Sequence, residues 1–366
     1  MPPGSTTLTS AGTGPLAEAA ASDAIARRRT TARLVLAGLF AALLFAMLAA
    51  CCIGAYRLTP AQFAAALFTP DAASQQARAV LLEIRAPRVV LAALVGIGFG
   101  ASGAAMQALF RNPLADPGLV GVSSGAALGA AALIVLGPML ASATVPAAWL
   151  PVAAFAGALA VAALVYRLAA TQGRLALPLL LLAGIAINAL AGAAIGLLTY
   201  VASDAQLRSL TFWSLGSVGG AQWSTIAVVA PFALAGTAWL LRERDALNAL
   251  QLGEAEALHL GVPVQRVKRG VLIATALGIG ALVSCTGVIG FIGLVAPHCV
   301  RLVCGPDQRV VMPGAALLGA LLVVAADLAA RTVVAPVEIP LGILTALIGA
   351  PFFLALLRKR RGALGG

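Results

Sequence analysis

Two features of the chain suggest enzyme chemistry: a serine motif and two histidines. The stretch RNPLADPGLVGVSSG, Arg111 to Gly125, contains GVSSG, which fits the G-x-S-x-G pattern of a nucleophile elbow. Such a serine needs a preceding strand and a nearby histidine base, but the region is helical in pattern and the chain has only His259 and His298. We therefore predict that Ser123 and Ser124 begin a helix, where small residues let neighbouring helices approach.

The sequence also lacks the residue patterns needed to bind nucleotide, metal or nucleic acid. Neither Lys268 nor Lys359, the two lysines, follows a glycine, so the sequence contains no Walker A loop. The five cysteines lie in or beside apolar runs, and their spacing is not that of paired metal ligands. The net charge of +11 is not accompanied by a basic face with interleaved aromatic residues, which excludes nucleic acid as partner. We predict no catalytic residue, cofactor or metal site, and the chain is not expected to be an enzyme.

The composition indicates a membrane protein. Hydrophobic residues make up 61% of the 366 residues, charged residues 10%, and the mean hydropathy is +1.00. In lipid only helices or a closed barrel can span, and the long unbroken apolar runs favour helices. The sequence therefore predicts an all-α, polytopic membrane protein. Glycines at close spacing in two of the runs predict tight helix crossings: Gly96, Gly98, Gly100, Gly103, Gly125 and Gly129.

Ten apolar runs are candidate spans. They are Leu34 to Ile53, Val89 to Leu109, Leu119 to Leu136, Trp149 to Ala169, Leu175 to Val201, Trp223 to Leu241, Gly270 to Thr286, Ile289 to Val303, Gly314 to Ala330 and Leu341 to Leu357. With a cytoplasmic N-terminus, 18 of the 24 Lys and Arg residues lie in cytoplasmic segments, as the positive-inside rule requires. We predict ten transmembrane helices over residues 34–360 and both termini in the cytoplasm. Residues 1–33 are predicted to form a disordered tail, and residues 361–366 a short C-terminal tail.

Four stretches, in order along the chain, carry a specific resemblance. They are RAPRVVLAALVGIGFGASGAAMQALFRNPLADPGLVGVSSGAALGA, GEAEALHLGV, GFIGLVAPHCVRLVCGPDQR and ADLAARTVVAPVEIPLGILTALIGAPFFLALL. Over about residues 34–360 the chain resembles the permease subunits of bacterial ABC importers for vitamin B12, iron siderophores and haem. The resemblance implies a B12-permease-like bundle of ten helices in the bacterial inner membrane. It also implies a homodimer that works with two copies of a separate ATP-binding subunit and with a periplasmic substrate-binding protein.

The stretch from Arg111 to Gly125 contains two prolines, which predict a non-helical turn at the cytoplasmic end of the second span. The resemblance implies that Asn112 and Leu114 in this turn form a cytoplasmic gate. A second gate of the B12 permeases, a pair of small hydroxyl residues entering the fifth span, is not matched, because Leu177 and Pro178 stand there. This departure argues against B12 as the cargo.

The longest polar segment covers residues 242–269 and contains LGEAEALHLGVPV, which predicts a short helix from Glu254 to Leu260. A solvated amphipathic loop would have the same charge pattern. The resemblance implies that this helix is the coupling helix, which sits in a groove of the ATP-binding subunit. The contact residues that it implies are Gly253, Glu254, Ala257, Leu260 and Gly261.

Some arginines are predicted on the periplasmic side of the membrane, although the positive-inside rule places most basic residues in the cytoplasm. The resemblance implies that Arg85, Arg88 and Arg331 pair with acidic residues of the substrate-binding protein. Asp327 precedes Arg331 by four residues, a helical spacing that predicts contact between the two side chains. An arginine at a helix end that reaches for the membrane surface is the alternative.

The best clue to the cargo is SDAQLRSLTFWSLGSVGG, Ser203 to Gly220, which resembles the haem branch of the family. It places Arg208 beside Phe212 and Trp213, and a cation next to aromatic rings suits a flat porphyrin that bears carboxylates. An anchor at the membrane surface is the alternative role of Arg208. We expect haem as cargo, with a ferric siderophore or vitamin B12 as alternatives.

Two rival function classes are weighed against an importer subunit. An intramembrane hydrolase would need a base that the sequence lacks. A secondary transporter would need intramembrane carboxylates or a broken-helix ion site, and the chain offers only Asp327 near the end of a span. His298 follows a proline in GLVAPHCVRLV, a pair that the family resemblance implies whatever the cargo, so we predict a structural role for it.

Overall fold

The computed structural model describes residues 15–54, 56, 59–68, 75–140, 146 and 148–364. Most of these residues lie in helices. The helices are α1 (Pro15–Cys52), α2 (Pro60–Phe68), α3 (Gln75–Ala79), α4 (Ala86–Leu109), α5 (Val122–Leu140), α6 (Trp149–Ala169), α7 (Leu177–Val201), α8 (Asp204–Ser214), α9 (Trp223–Arg242), α10 (Arg244–Leu252), α11 (Glu254–His259), α12 (Val264–Thr286), α13 (Ile292–Cys304), α14 (Gln308–Ala330) and α15 (Leu341–Leu364). A π-helical turn (Val80–Arg85) joins α3 to α4, and a hairpin of β1 (Ala170–Thr171) and β2 (Arg174–Leu175) joins α6 to α7.

Ten of these helices correspond to the ten predicted spans. Within the described residues, eight helices are long and apolar enough to cross a membrane, counting α3 and α4 as one continuous segment. The segments Ile292–Cys304 and Leu341–Ala355 of α13 and α15 are apolar but shorter. The prediction of an all-α, polytopic membrane protein is confirmed. Several helices extend beyond the predicted runs. The helix α12 begins at Val264 and so includes the basic end of the predicted polar segment, and α14 begins at Gln308 rather than Gly314.

Where the structure describes the two predicted tails, their residues are helical, and the division of the chain into tails and a permease domain stays a prediction. Residues 15–33 belong to α1, and residues 361–364 belong to α15. The stretch PLAEAAASDAIARRR is rich in Ala, the strongest helix former, so the helix extends well beyond the apolar run. Residues 1–14 and 365–366 lie outside the described part of the chain.

The central helix is α4, with 21 of its 24 residues buried. A side chain at Gly96 or Gly100 would overlap the backbone of α14, and one at Gly103 would overlap Gly293 of α13. Apolar burial alone drives little association in lipid, so close backbone packing supplies the attraction. Gly125 and the neighbouring Gly129 serve the same purpose where α5 crosses α6. The predicted tight crossings are confirmed.

The peripheral helix α7 differs sharply from α4, since only three of its 25 residues are buried. Its exposed face carries Gly192 and Gly196, where an added Cβ would meet no atom of this chain within 4 Å. Such a face requires lipid or another protein chain as its neighbour.

The bundle has two ends, named here after one helix at each. The α11 end carries α10, α11, the hairpin and the turn at Asn112. The α8 end carries α8, the start of α4 and the loop between α14 and α15.

Candidate functional site

An arginine between two carboxylates lies at the α8 end. Nε of Arg88, in the first turn of α4, donates to Oδ1 of Asp327 on α14 at 3.0 Å, and its Nη1 donates to Oε1 of Glu338 at 2.8 Å. Asp327 also lies near Arg331, with 3.7 Å between Oδ2 and Nε, which confirms the contact predicted from their spacing. Arg88 and Asp327 are buried, whereas the Glu338 side chain is 49% exposed. The network therefore reaches from the core of the bundle to its surface.

The other two arginines at this end bond to the last turn of α1. Arg85 donates to the carbonyls of Cys51 at 2.8 Å and Cys52 at 2.9 Å, and Arg331 donates to the carbonyl of Ala50. The last carbonyls of a helix have no partner within it, and cationic side chains stabilise them. The two arginines thus act as a cap that joins α1 to α4 and α14.

The three arginines of the predicted docking set are buried in this structure. Arg85 is 4% exposed, and Arg88 and Arg331 are each 8% exposed. Their guanidinium groups are occupied by groups of this chain, so they do not present free positive charge to a docking protein in this conformation. Among the described residues, the exposed charge of the network is that of Glu338, which is negative. A contribution of the three arginines to docking stays a prediction.

The turn after α4 is non-helical, as predicted. Oδ1 of Asn112 accepts a hydrogen bond from the N–H of Leu114 at 3.0 Å, and Oδ1 of Asp116 accepts one from Gly118 at 2.7 Å. Both are Asx turns, in which a short side chain replaces a backbone bond. Leu114 is half-buried and lies beside His298 of α13. The gate role of Asn112 and Leu114 stays a prediction.

Three interruptions of helical structure meet inside the bundle, below the α8 end. The N–H of Ser217 after α8 donates to Thr286 at the end of α12 at 2.7 Å, and the N–H of Leu341 donates to Gly216 at 2.9 Å. A Cβ at Gly216 would overlap the carbonyl of Val288, and one at Gly342 would overlap the carbonyl of Leu215. Irregular backbone persists at such depth only where its polar groups are satisfied or line a cavity. The two backbone hydrogen bonds satisfy polar groups at these interruptions.

The predicted short helix is present as α11, from Glu254 to His259. Gly261 follows it with a φ of 81°, and two bonds close the end: the N–H of Gly261 to Leu258 and that of Val262 to Ala257. This is a Schellman ending, which favours glycine at the left-handed position.

Only part of the predicted contact set on α11 is accessible. Leu260 is 65% exposed. Leu258, which was not among the predicted partner contacts, is 60% exposed. Gly253 and Ala257 are buried against this chain, so they are not accessible to a partner in this conformation, and their role as contacts stays a prediction. Ala257 packs on the bundle, whereas Leu258 and Leu260 leave most of their side-chain surface open to a partner.

A buried lysine ties α11 to two other elements. Nζ of Lys268, on α12, is 2.6 Å from Oε1 of Glu254 and donates to the carbonyl of Leu175 at 3.1 Å. Gln265, one turn earlier on α12, accepts a bond from the N–H of Leu175 at 2.8 Å. Lys268 is 2% exposed, so it is held between these partners. Because Leu175 is the last residue of the hairpin, the link extends to the start of α7.

A second junction at the α11 end is solvent-exposed. Nε of Arg309, at the start of α14, donates to Oδ1 of Asp245 on α10 at 2.6 Å. This hydrogen bond lowers the pKa of Asp245, which favours the ionised carboxylate. Nearby, Asn248 donates to Asp307 at 2.7 Å, so α10 is fastened to the loop before α14.

The predicted cargo residues lie on α8 but do not share one surface. Arg208 and Phe212 are exposed and one helical turn apart, which places them on the same side of the helix. Trp213 is half-buried and packs against the core. The predicted cluster of one cation and two rings is therefore reduced to one cation and one ring on the exposed side.

The remaining reactive side chains fit structural roles. His298 is 6% exposed, and its ring meets that of Phe352 edge-on at 6.1 Å between centroids. Ser123 and Ser124 lie in the first turn of α5, as predicted. No group of three or more possible metal ligands occurs among the described residues.

Several functional pairs were not found from the sequence. Arg88 and Asp327 are 239 positions apart, and Ser124 bonds to Asn188 of α7 at 2.5 Å across 64 positions. No local spacing signals such pairs. For Lys268 a signal existed, because it is a lone lysine within a helix that continues as an apolar span.

The apolar spans, the satisfied helix breaks inside the bundle and the separate polar helix α11 define a polytopic transport permease. The FecCD transport family model matches residues 22–359. The chain belongs to the FecCD transport family, the permease components of ABC importers, in which the ATP-binding subunit is a separate chain.

Similar proteins cover most of the chain. The hemin transport system permease protein HmuU of Yersinia pestis is 50% identical over 286 residues, which are 77% of this chain and 84% of that protein. The vitamin B12 import system permease protein BtuC of Escherichia coli is 38% identical over 323 residues, 87% of this chain and 93% of that protein. A solved structure, described as an inward-facing metal-chelate type ABC transporter, is 31% identical with a TM-score of 0.79 and covers 89% of this chain and 99% of that chain.

Proposed function

We propose that this chain forms, as a homodimer, the pathway for haem in an ATP-driven importer of the bacterial inner membrane. The α11 end and both termini face the cytoplasm, where the two ATP-binding subunits dock, and the α8 end faces a periplasmic binding protein. The observation that carries the proposal is α11, a short helix that exposes two leucines and is tied by Lys268 to α12 and to the start of α7.

Leu258 and Leu260 enter a groove of the ATP-binding subunit. A displacement of α11 then reaches α12 through the Glu254–Lys268 ion pair and reaches α7 through the carbonyl of Leu175. Alternating access results when α7 moves relative to the central helices. The turn at Asn112 closes the route at the cytoplasmic side.

The second copy of the chain packs along the open face of α7. That face carries small residues, and small residues let two helices approach closely in lipid. The buried arginines at the α8 end act on docking indirectly, because they hold the loops on which the binding protein rests. Glu338 is the network member that reaches the surface.

The choice of haem rests on two observations. One similar protein, at 50% identity, is named as a hemin permease, and Arg208 with Phe212 forms an exposed cation–aromatic pair at the entrance. Other similar proteins are named for vitamin B12, so the cargo must be tested directly. A secondary transporter is disfavoured, because Asp327 is bound to Arg88 and lies near Arg331.

Arg208→Ala tests the cargo and the entrance together. In liposomes that contain the complete importer, we expect the variant to slow haem uptake while ATP hydrolysis and docking of the binding protein stay near normal. Arg167→Ala, an exposed arginine at the opposite end, is the control and should leave uptake unchanged.

Uptake of a ferric siderophore or vitamin B12 but not of haem by the unmodified importer would refute the cargo and leave the importer intact. Normal haem uptake by Arg208→Ala would make Arg208 a membrane-surface anchor.

A further inference from the structure

A groove on the outside of the bundle lies between α6 and α12, on the α11 side. It has a volume of about 560 Å³ and is lined mainly by apolar side chains, among them Leu159, Ala163, Leu272 and Ala276. Ala163 is exposed and Ile273 is 41% exposed, so the groove opens away from the core. In a spanning protein such an opening faces the lipid or another chain.

One end of the groove is polar. Nε of Arg269 donates to Oη of Tyr166 at 3.0 Å, and both residues line the groove. The Arg269 side chain is exposed, and no carboxylate lies within 4.0 Å of it in the described part of the chain. A guanidinium group has five N–H donors in a planar fork that matches phosphate oxygens, and this bond uses one of them. The groove therefore ends at a positive charge that the described residues leave unneutralised.

The dimensions of the groove match one leaflet of a bilayer. Its α12 side runs from Arg269 to Leu277, eight residues or about 12 Å of helix. Half of the hydrocarbon thickness is about 15 Å. A cation at one end and apolar walls over the remaining length reproduce the polarity of a phospholipid, with the headgroup at the membrane surface.

We propose that this groove binds an anionic phospholipid. The phosphate is held by Arg269 and by the O–H of Tyr166, which accepts from Arg269 and keeps its own hydrogen for an acceptor. An acyl chain lies along the apolar walls formed by α6 and α12. This site is separate from α7, whose open face is assigned to the second copy, and it requires only that the chain be in a membrane.

The test uses the full chain in nanodiscs of phosphatidylcholine with a minor fraction of phosphatidylglycerol. After gentle delipidation, native mass spectrometry counts the lipids of each kind that remain bound. The unmodified chain should retain phosphatidylglycerol in preference to phosphatidylcholine. Arg269→Gln should reduce this preference about fivefold, the factor expected for one cationic side chain near anionic lipid.

Two further variants separate the site from general surface charge. Arg266→Gln removes an exposed arginine from the same helix, one turn away and outside the groove, and should leave the preference unchanged. Ala163→Trp keeps every charge but fills the apolar wall, and should reduce retention of the lipid.

Three results would overturn the proposal. Equal retention of the two lipids by the unmodified chain would show that no anionic site exists. Equal losses in Arg266→Gln and Arg269→Gln would reduce the effect to general surface charge. Dissociation of a dimer by Ala163→Trp would show that a second copy occupies the groove.

Discussion

At the scale of single residues, the most constrained group is the buried guanidinium of Arg88. It contacts Asp327 and Glu338 at 2.8–3.0 Å, and its neighbour Arg331 shares Asp327. Buried charges are tolerated because each has an opposite charge or a carbonyl next to it, and removal of one partner leaves the other uncompensated. These partners explain how arginines can be buried among apolar helices.

Arg88→Met should lower the free energy of unfolding by about 3–5 kcal/mol, because Asp327 would lose its nearest cation while buried. Thermal unfolding of the purified chain in detergent measures this. Glu338→Gln is the matched control and should cost much less, since Glu338 is half-exposed. An Arg88→Met chain that is as stable as the unmodified one but fails to bind the periplasmic partner would make docking the main role.

Gly100→Ala should destabilise the bundle by roughly 1–3 kcal/mol, because the new Cβ would overlap the carbonyl of Ala315. Gly38→Ala on α1, where an added Cβ also meets no atom of this chain within 4 Å and which lies outside the α7 face, is the control used for the comparison. That control should be neutral or slightly stabilising, since Ala is the better helix former. Equal unfolding temperatures for Gly100→Ala and Gly38→Ala would contradict the packing at the α4–α14 crossing.

At the scale of elements, α11, α12 and the hairpin form one mechanical unit. Lys268 bonds to an element on each side, and Gln265 holds the hairpin from a second point. The exposed leucines of α11 lie outside this unit and are free for a partner. Under the proposed function, docking and transmission are carried by different residues, so variants can separate them.

Lys268→Met should leave assembly with the ATP-binding subunit intact, because Leu258 and Leu260 are unchanged. Substrate-stimulated ATP hydrolysis should fall between about 2- and 30-fold, the range that altered coupling between sites spans. Lys268→Arg, which keeps the charge, should retain more of the stimulation. Leu260→Asp is the complementary variant, for which we expect loss of assembly itself. Full stimulation in Lys268→Met would remove the lysine from the coupling route.

At the scale of the whole molecule, the bundle has a closely packed centre and an open peripheral helix. Buried residues dominate α4, whereas only three of the 25 residues of α7 are buried. An exposed helix that spans a membrane faces lipid or another chain, and the small residues of α7 favour another chain. One protomer is therefore an incomplete transport unit under this proposal.

Gly192→Trp should shift the purified protein from dimer to monomer, because the bulky ring prevents close approach of two α7 helices. Mass photometry in detergent measures the distribution. Gly38→Trp on α1, where an added Cβ also meets no atom within 4 Å, is the control and should leave the dimer intact. Dimers that survive Gly192→Trp would assign the α7 face to lipid or to the pathway.

The sequence by itself determined the class of the protein, the positions of the spans and the presence of α11. Hydropathy is a property of consecutive residues, and lipid allows few alternatives to a helix, so long apolar runs translate directly into spans. Gly261, the first residue of GVPV, likewise ends α11 close to the predicted position, because the left-handed position after a helix favours glycine. At the chain termini the same reasoning underestimated helix length, because a polar, Ala-rich segment continues a helix without being apolar.

Only the tertiary structure decided which charged residues are available. Arg85, Arg88 and Arg331 looked like surface charges in the sequence, and the fold buries them by bringing together the ends of α1, α4 and α14. Lys268 and Ala257 were likewise counted with the polar loop and are buried. The physical reason is that burial and ion pairing depend on contacts between residues far apart in sequence, such as Arg88 and Asp327, 239 positions apart, which no local spacing encodes.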